Sequence, residues 1–310
     1  MKMKDKNRSI TDWKKNIKKN YELYLLSIPT IILVLIFAYF PMYGIQLAFK
    51  DFVAIDGITG SPWVGFEHFE RLFRGYNFVR IIKNTLTLSI YTLAVGFPLP
   101  LIFAIMLNEV KLHRFKKTLQ MVSYAPNFIS TVVLVSMITI FFNPNNGIIN
   151  KLIVMCGGEE ISFMTEPKLF KHLYVWLGVW QTLGWNAIIY MSALSGVDPQ
   201  LYEAAVMDGA NKLQKIWVVD IPCILPTAVI LLILNCGSIM NVGFDKAFLM
   251  QNDLNREASD IISTYVYRVG IQGAEYSFST AVSLFNSVIN FILLITVNTV
   301  AKKVTDNGLW

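Results

Sequence analysis

An all-α, polytopic membrane fold of six transmembrane helices is the architecture this sequence predicts, and three observations carry it. Of 310 residues, 54% are hydrophobic and 15% charged, with a mean hydropathy of +0.49, a composition of membrane chains. Six apolar runs reach the roughly 20 residues a helix needs to cross a bilayer: Leu23–Phe49, Asn84–Asn108, Thr118–Phe142, Leu173–Val197, Ile221–Phe244 and Phe278–Ala301. Within those limits no Asp, Glu, Lys, Arg or His occurs. Lipid offers no partner to backbone N–H and C=O groups, so the runs must close their hydrogen bonds internally, as helices. The chain therefore divides into a basic segment 1–22, a six-span domain 23–301 and a tail 302–310.

The amino-terminal segment carries Lys2 to Lys19 ahead of the first apolar run. That run is too long for a secretory signal, and Phe40-Pro41-Met42-Tyr43 offers no small-residue cleavage site, so an uncleaved first span is expected. Ile10, Trp13, Ile17 and Tyr21 share one helical face, with Lys14, Lys15, Lys18 and Lys19 around its edges. This suits either a helix lying on an anionic membrane surface or a plain positive anchor.

Orientation follows from Lys and Arg between the spans. Segments 1–22, 109–117, 198–220 and 302–310 hold 16 in 63 residues; segments 50–83, 143–172 and 245–277 hold 11 in 97. The denser set belongs in the cytoplasm, with both termini. This topology accounts for the net charge of +6 without a nucleic-acid partner.

Spans two, three and six offer no ionisable group for ion coupling, and neither do the others; coupled carriers usually keep such groups along the pathway. A nucleotide site is equally missing: no G-x-x-x-x-G-K-[ST] loop occurs, and Gly57-Ile58-Thr59-Gly60 lacks the lysine. His68, His113 and His172 stand apart, with no spacing of a metalloprotease or nucleophile elbow, so no catalytic residue and no metal or cofactor site is assigned. Cys156, Cys223 and Cys236 show no metal-ligand spacing.

The fourth span carries Trp176, Trp180, Gln181, Trp185, Asn186 and Tyr190; the fifth carries Asn235, Ser238 and Asn241, with Asp245 just beyond. Aromatic faces and amides suit stacking on sugar rings and bonding to hydroxyls. They equally suit membrane interfaces and helix–helix contacts. Trp180, Gln181, Trp185, Asn186, Tyr190, Asn235, Asn241 and Asp245 are the candidate substrate-pathway residues.

Between these two spans, Asp198 caps and Pro199 begins a short helix that should run to Asp208 and end at Gly209, a residue that takes positive φ. Ala204 and Ala205 keep one face small for an approaching protein surface, and Glu203 and Asp208 border it. An ordinary capped loop is the alternative.

Glu203, Ala204, Ala205, Gly209 and Pro222, with Asp208 and Ala210 in the same stretch, resemble the EAA motif of binding-protein-dependent ABC importer permeases; Val219 and Ile221 replace that motif's Ile and Leu. Phe40-Pro41-Met42-Tyr43-Gly44, Ser61-Pro62-Trp63-Val64-Gly65-Phe66, Leu107-Asn108-Glu109-Val110, Tyr124-Ala125-Pro126-Asn127-Phe128, Asn241-Val242-Gly243-Phe244 and Gly308-Leu309-Trp310 are similar to its carbohydrate branch, in the group of permeases for rhamnogalacturonan and alginate oligosaccharides. The resemblance implies a type I ABC permease fold in a bacterial plasma membrane and a coupling helix at about 199–208, with Glu203 on the ATPase surface. It implies no enzyme activity in this chain, ATP and Mg being bound by a partner ATPase. Its implied partners are two ATPase copies, a second homologous permease, an extracytoplasmic solute-binding lipoprotein, membrane lipid and an oligosaccharide substrate.

The external segments are long for connectors, and such loops are usually functional or disordered. Phe52, Trp63, Phe66, Phe69, Phe73 and Tyr76 argue for order, by docking either the binding protein or the second permease. A uronate-containing cargo would need positive charge, for which Lys246 and Arg268 or the partner chain are the sources. A permease for another polar solute is the nearest alternative, and a secondary carrier a more distant one.

Overall fold

The computed structural model describes residues 19–305 and 308–309; the face formed by Ile10, Trp13 and Ile17, and Trp310, lie outside them. The described residues form helices joined by turns and loops, and strand-like pairing among them is confined to an isolated antiparallel bridge between Lys50 and Trp63.

The first helix, α1 (Tyr21–Phe49), is 29 residues long. It winds loosely over Leu35–Tyr39 and tightly over Phe40–Phe49, where Pro41 withholds an N–H. Only its last turns pack on the body, through buried Ala48, while Leu26 and Phe37 stand exposed. A short connection follows, pinned by Lys50, and α2 (Glu67–Arg74) leads into α3 (Phe78–Asn108), jointed at Phe97 before Pro98 and Pro100.

The third apolar run was expected as one span, Thr118–Phe142. It is two helices, α4 (His113–Phe128) and α5 (Thr131–Phe141), bent by 97°. Pro126 tightens the end of α4, and Ser130 takes an extended conformation and caps α5 by accepting from Val133 N. A cap and a proline thus restart the helix inside an unbroken apolar pattern.

Beyond α6 (Ile148–Met155) comes a 29-residue helix, α7 (Pro167–Ser195). It contributes to two cores. Phe170, Tyr174, Val175 and Val179 meet Leu88, Val135 and Met250; Ala187, Tyr190 and Leu194 meet Ala104, Ile105, Ile224 and Ala228. Lipid-facing helices gain little from hydrophobic transfer between one another, so close approach at small residues such as Ala104, Ala187 and Ala228 carries the packing.

The short α8 (Pro199–Met207) leads to α9 (Lys212–Gly237). The fifth run was expected to begin at Ile221 and reach Phe244; the helix begins earlier, taking in Asp220, and stops at Gly237. Ser238 leaves helical geometry there, and a bend through Asn241 precedes α10 (Phe244–Met250). After α11 (Arg256–Ser259) and α12 (Ile262–Val266), α13 (Tyr276–Thr305) packs along α9 and the end of α1.

Four helices, α1, α3, α9 and α13, are long and apolar enough to cross a membrane, and the bent pair α4 and α5 makes a fifth if taken as one span.

Candidate functional site

Two regions at opposite ends of α9 hold the candidate residues. At its start, α8 is closed at both ends. Asp198 accepts from Gln200 N at 2.9 Å with Pro199 next. At the far end Gly209 takes φ +80°, and Ala210 N returns to the Ala205 carbonyl at 2.9 Å. The left-handed residue lets the chain reverse without a Cβ clash.

The two alanines separate. Ala204 is exposed with Glu203, Asp208 and Gly209, whereas Ala205 is buried and Ala210 half-buried. The expectation that both alanines keep an outer face small is corrected: Ala205 seats the helix on its own chain, against the turns at Lys212–Asp220. Leu201, Val206 and Met207 are exposed beside Glu203.

What fixes this seat is Asp220, fully buried in α9. Its Oδ1 accepts from the Tyr202 hydroxyl at 2.5 Å and from Asn108 Nδ2 at 3.3 Å, and Asn108 Nδ2 also lies 3.4 Å from the Tyr202 oxygen. Three elements, α3, α8 and α9, thus meet on one carboxylate. Its Oδ2 has no partner among the described residues. Burial, and then the bond to Asp220, pushes the Tyr202 phenol up to about 12, so it stays a donor across physiological pH.

Past the other end of α9, a cavity of about 580 Å³ opens between α3, α7, the last turn of α9 and the bend before α10. Five of the eight pathway candidates line it: Gln181, Asn186, Tyr190, Asn235 and Asn241. Three do not. Trp180 is about half exposed on another face of α7, Trp185 is about half exposed and edge-on to Phe128 at 6.0 Å, and Asp245 is exposed on α10. On a helix, residues three and four apart share a face, and Tyr174, Gly178, Gln181, Thr182, Asn186 and Tyr190 follow that stripe; Trp176 and Trp180 start another. That spacing sets Trp180 apart, but Trp185, four after Gln181 and three after Thr182, shares the stripe, and only its contact with Phe128 in the structure separates it from the cavity wall.

Several amides already use one group internally. Gln181 Nε2 donates to the Ile129 carbonyl at 2.8 Å, at the bend between α4 and α5. Asn235 Nδ2 donates to the Leu231 carbonyl at 2.8 Å, and Asn241 Oδ1 accepts from Asn286 Nδ2 (2.9 Å) and Asn290 Nδ2 (3.0 Å). Each keeps its other amide atom for the cavity, an arrangement that offers donors and acceptors suited to hydroxyls. Ser89, Thr92, Thr182 and Ser238, not singled out from the sequence, add hydroxyls to the wall.

The wall carries one cation. Lys246, on α10, lines the cavity with Nζ 3.9 Å from the Tyr174 ring centroid, while the Tyr174 hydroxyl donates to the Gly243 carbonyl at 3.2 Å. Burial pushes the Lys246 ammonium down to about 8. Arg268, the other expected source of charge, is already engaged: its guanidinium grips buried Asp260 through two bonds, of 3.1 and 2.6 Å. Among the described residues no cluster of three or more His, Cys, Asp or Glu is placed to hold a metal ion.

Comparison with known proteins bears on both regions. A family model described as the binding-protein-dependent transport system inner membrane component matches residues 96–306. The protein LplB of Bacillus subtilis (strain 168) is 43% identical over 96% of this chain and 94% of its own length. The polygalacturonan/rhamnogalacturonan transport system permease protein YteP of the same organism is 43% identical over 96% of this chain and 92% of its own. In structure, a chain of a bacterial ABC transporter involved in the import of the acidic polysaccharide alginate superposes with a TM-score of 0.87 at 39% identity, over 95% of this chain and 99% of that one. A bacterial alginate ABC transporter in complex with an alginate pentasaccharide-bound periplasmic protein gives 0.87 at 38%, over 95% of this chain and 99% of that one.

Proposed function

This chain belongs to the binding-protein-dependent transport system inner membrane component family, and from that premise we propose how its two regions divide the work of an importer. As a member, it is a permease subunit of an ABC importer for oligosaccharides, with the type I ABC permease fold and no enzyme activity of its own. In our reading α8 is the coupling helix. Glu203, Ala204, Asp208 and Gly209 meet an ATPase subunit, and Ala205 and Ala210 seat the helix. Two ATPase copies supply the energy, a second homologous permease completes the pore, and a binding protein delivers the sugar. Closure of the ATPases then moves α8, and the clamp on Asp220 passes that motion to α3 and α9 as rigid-body rotation.

Six spans fit this reading: the four apolar helices, the bent pair, and α7. At 29 residues, α7 is about 43 Å long at 1.5 Å per residue, enough to cross. Its lower apolarity follows from Gln181, Thr182 and Asn186 facing the cavity instead of lipid. Both termini and α8 then lie in the cytoplasm, following the Lys and Arg density.

The observation that carries the coupling role is an exposed carboxylate, Glu203, on a helix capped at both ends and clamped from behind by Tyr202. Glu203→Lys reverses that charge without touching the seat. In proteoliposomes holding the whole complex, it should cut sugar uptake at least tenfold per ATP hydrolysed while the subunits still co-purify. Unchanged uptake per ATP would refute the role.

A further inference from the structure

Among the described residues three charged side chains are buried, and each is held. Lys50 donates to the carbonyls of Ile58 (2.7 Å) and Thr59 (3.1 Å). Asp260 is gripped by Arg268, and Asp220 accepts from Tyr202 and Asn108. Lys246 is treated differently. It is drawn inward over the Tyr174 ring, yet no acceptor lies within hydrogen-bond or ion-pair reach of its Nζ among the described residues. Desolvating an ammonium is costly unless something compensates it, and one aromatic face is partial compensation.

The surroundings hold this cation ready. Tyr174 is tied to the Gly243 carbonyl three residues before Lys246, which fixes the bend and the ring together. Gly178 makes the space: a Cβ there would come within 2.5 Å of Nζ. Around it the wall presents amides and hydroxyls and no carboxylate. A site with many groups for hydroxyls, one unpaired cation and no competing anion is built for a sugar that carries its own negative charge, because an ammonium–carboxylate bond made away from water is strong.

We propose that Lys246 is the residue of this chain that recognises the carboxylate of a uronate-containing oligosaccharide in the transport cavity. The inference rests on the reading of the chain as an oligosaccharide permease and adds to it the charge of the cargo and the group that selects it. Gly178 and Tyr174 act through Lys246 as positioning residues.

The test is uptake of trigalacturonate and of trimannuronate by the whole reconstituted complex, with Lys246→Gln, Lys246→Arg and Gly178→Ala beside the natural chain. Lys246→Gln should lower uptake of the acidic trisaccharides at least tenfold while basal ATP hydrolysis of the sugar-free complex is unchanged. Lys246→Arg, which keeps the charge, should restore most of it, and Gly178→Ala should cost a few-fold. Among the variants, three results would overturn the inference: uptake indifferent to Lys246→Gln, equal loss in the Gln and Arg variants, or a parallel loss of basal hydrolysis, which would make Lys246 structural. A natural complex that imports neutral oligosaccharides but neither acidic trisaccharide overturns this inference and leaves the oligosaccharide reading standing. One that imports no oligosaccharide of any charge overturns both.

Discussion

Asp220 and Lys246 are both charges drawn into the body around α9, yet they have opposite surroundings. Asp220 is met by a phenol and an amide from two other elements, whereas Lys246 meets only the face of an aromatic ring. Removing a partner from a buried carboxyl already held through one oxygen alone is expensive, which makes such a group a rivet. A half-buried cation at a cavity wall without an anion beside it is held open for one that arrives. The contrast separates the part of the chain that transmits force from the part that reads the cargo, and each can be disturbed alone.

The largest expected effect is on the rivet. Tyr202→Phe removes the short bond to Asp220 and leaves a buried carboxylate with Asn108 alone, a loss of about 1–3 kcal/mol. The thermal midpoint of the purified complex should fall, and uptake of acidic and neutral sugars should fall together. Adding Asp220→Leu should recover part of that loss, since replacing both members with apolar groups removes the stranded charge. If Tyr202→Phe changes neither stability nor uptake, the three elements are not clamped there.

Next is the pH response of the open charge. Burial lowers Lys246 from 10.5 to about 8, so the ammonium is complete well below pH 8 and lost as pH rises through it. The ionisable group facing it is Tyr174 on α7; Asp245, its neighbour in sequence, is exposed and outside the cavity wall, α12, packed on α10, carries Tyr265, and α3, the end of α9 and α5 present no ionisable side chain to it. Uptake of trigalacturonate relative to the Lys246→Arg variant should therefore fall roughly tenfold from pH 7 to pH 9. Stability runs the other way: the unfolded chain keeps this proton up to about 10.5, so the penalty of burying Lys246 is greatest below pH 8 and eases between 8 and 10.5. A flat ratio across that range would remove the open-charge account.

Smaller effects test the supports. Gly209→Ala forces a Cβ into φ +80° and should cost about 1 kcal/mol, read as faster amide exchange confined to α8. Gly178→Ala meets only the flexible tip of Lys246, so it should leave the thermal midpoint unchanged while weakening acidic-sugar uptake.

Much of this was legible in the sequence, and unevenly so. The apolar runs gave α1, α3, α9 and α13, because backbone satisfaction in lipid leaves helices as the solution. Asp198-Pro199 and Gly209 marked α8 to within one residue, since caps are local chemistry. The break at Ile129 and Ser130 carries the same local signals, Pro126 and a serine cap, and is masked because the apolar residues on both sides of it together have the length of one span. Local patterns could not reveal the Asp220 clamp, whose Asn108 partner lies 112 residues away. Trp180 attracted attention by residue type and is out of phase with Gln181, Thr182 and Asn186, which line the cavity; Trp185 shares their phase, and only its contact with Phe128 shows that it stands aside. Lys246 and Arg268 looked equivalent in sequence; only the position of Asp260 separates the occupied cation from the open one.

The central claim is that α8 couples to the ATPase in the cytoplasm while the Lys246 region faces the incoming sugar. A chain with Cys156, Cys223 and Cys236 replaced and a single cysteine at Glu203→Cys tests it directly, using a short bifunctional maleimide on the assembled complex in sealed vesicles of known orientation. The account predicts a cross-link between residue 203 and an ATPase subunit, formed from the cytoplasmic side alone and lost when the cysteine is moved to Asp245→Cys. Labelling of residue 203 from the opposite side, or a cross-link to the ATPase from residue 245, would contradict it.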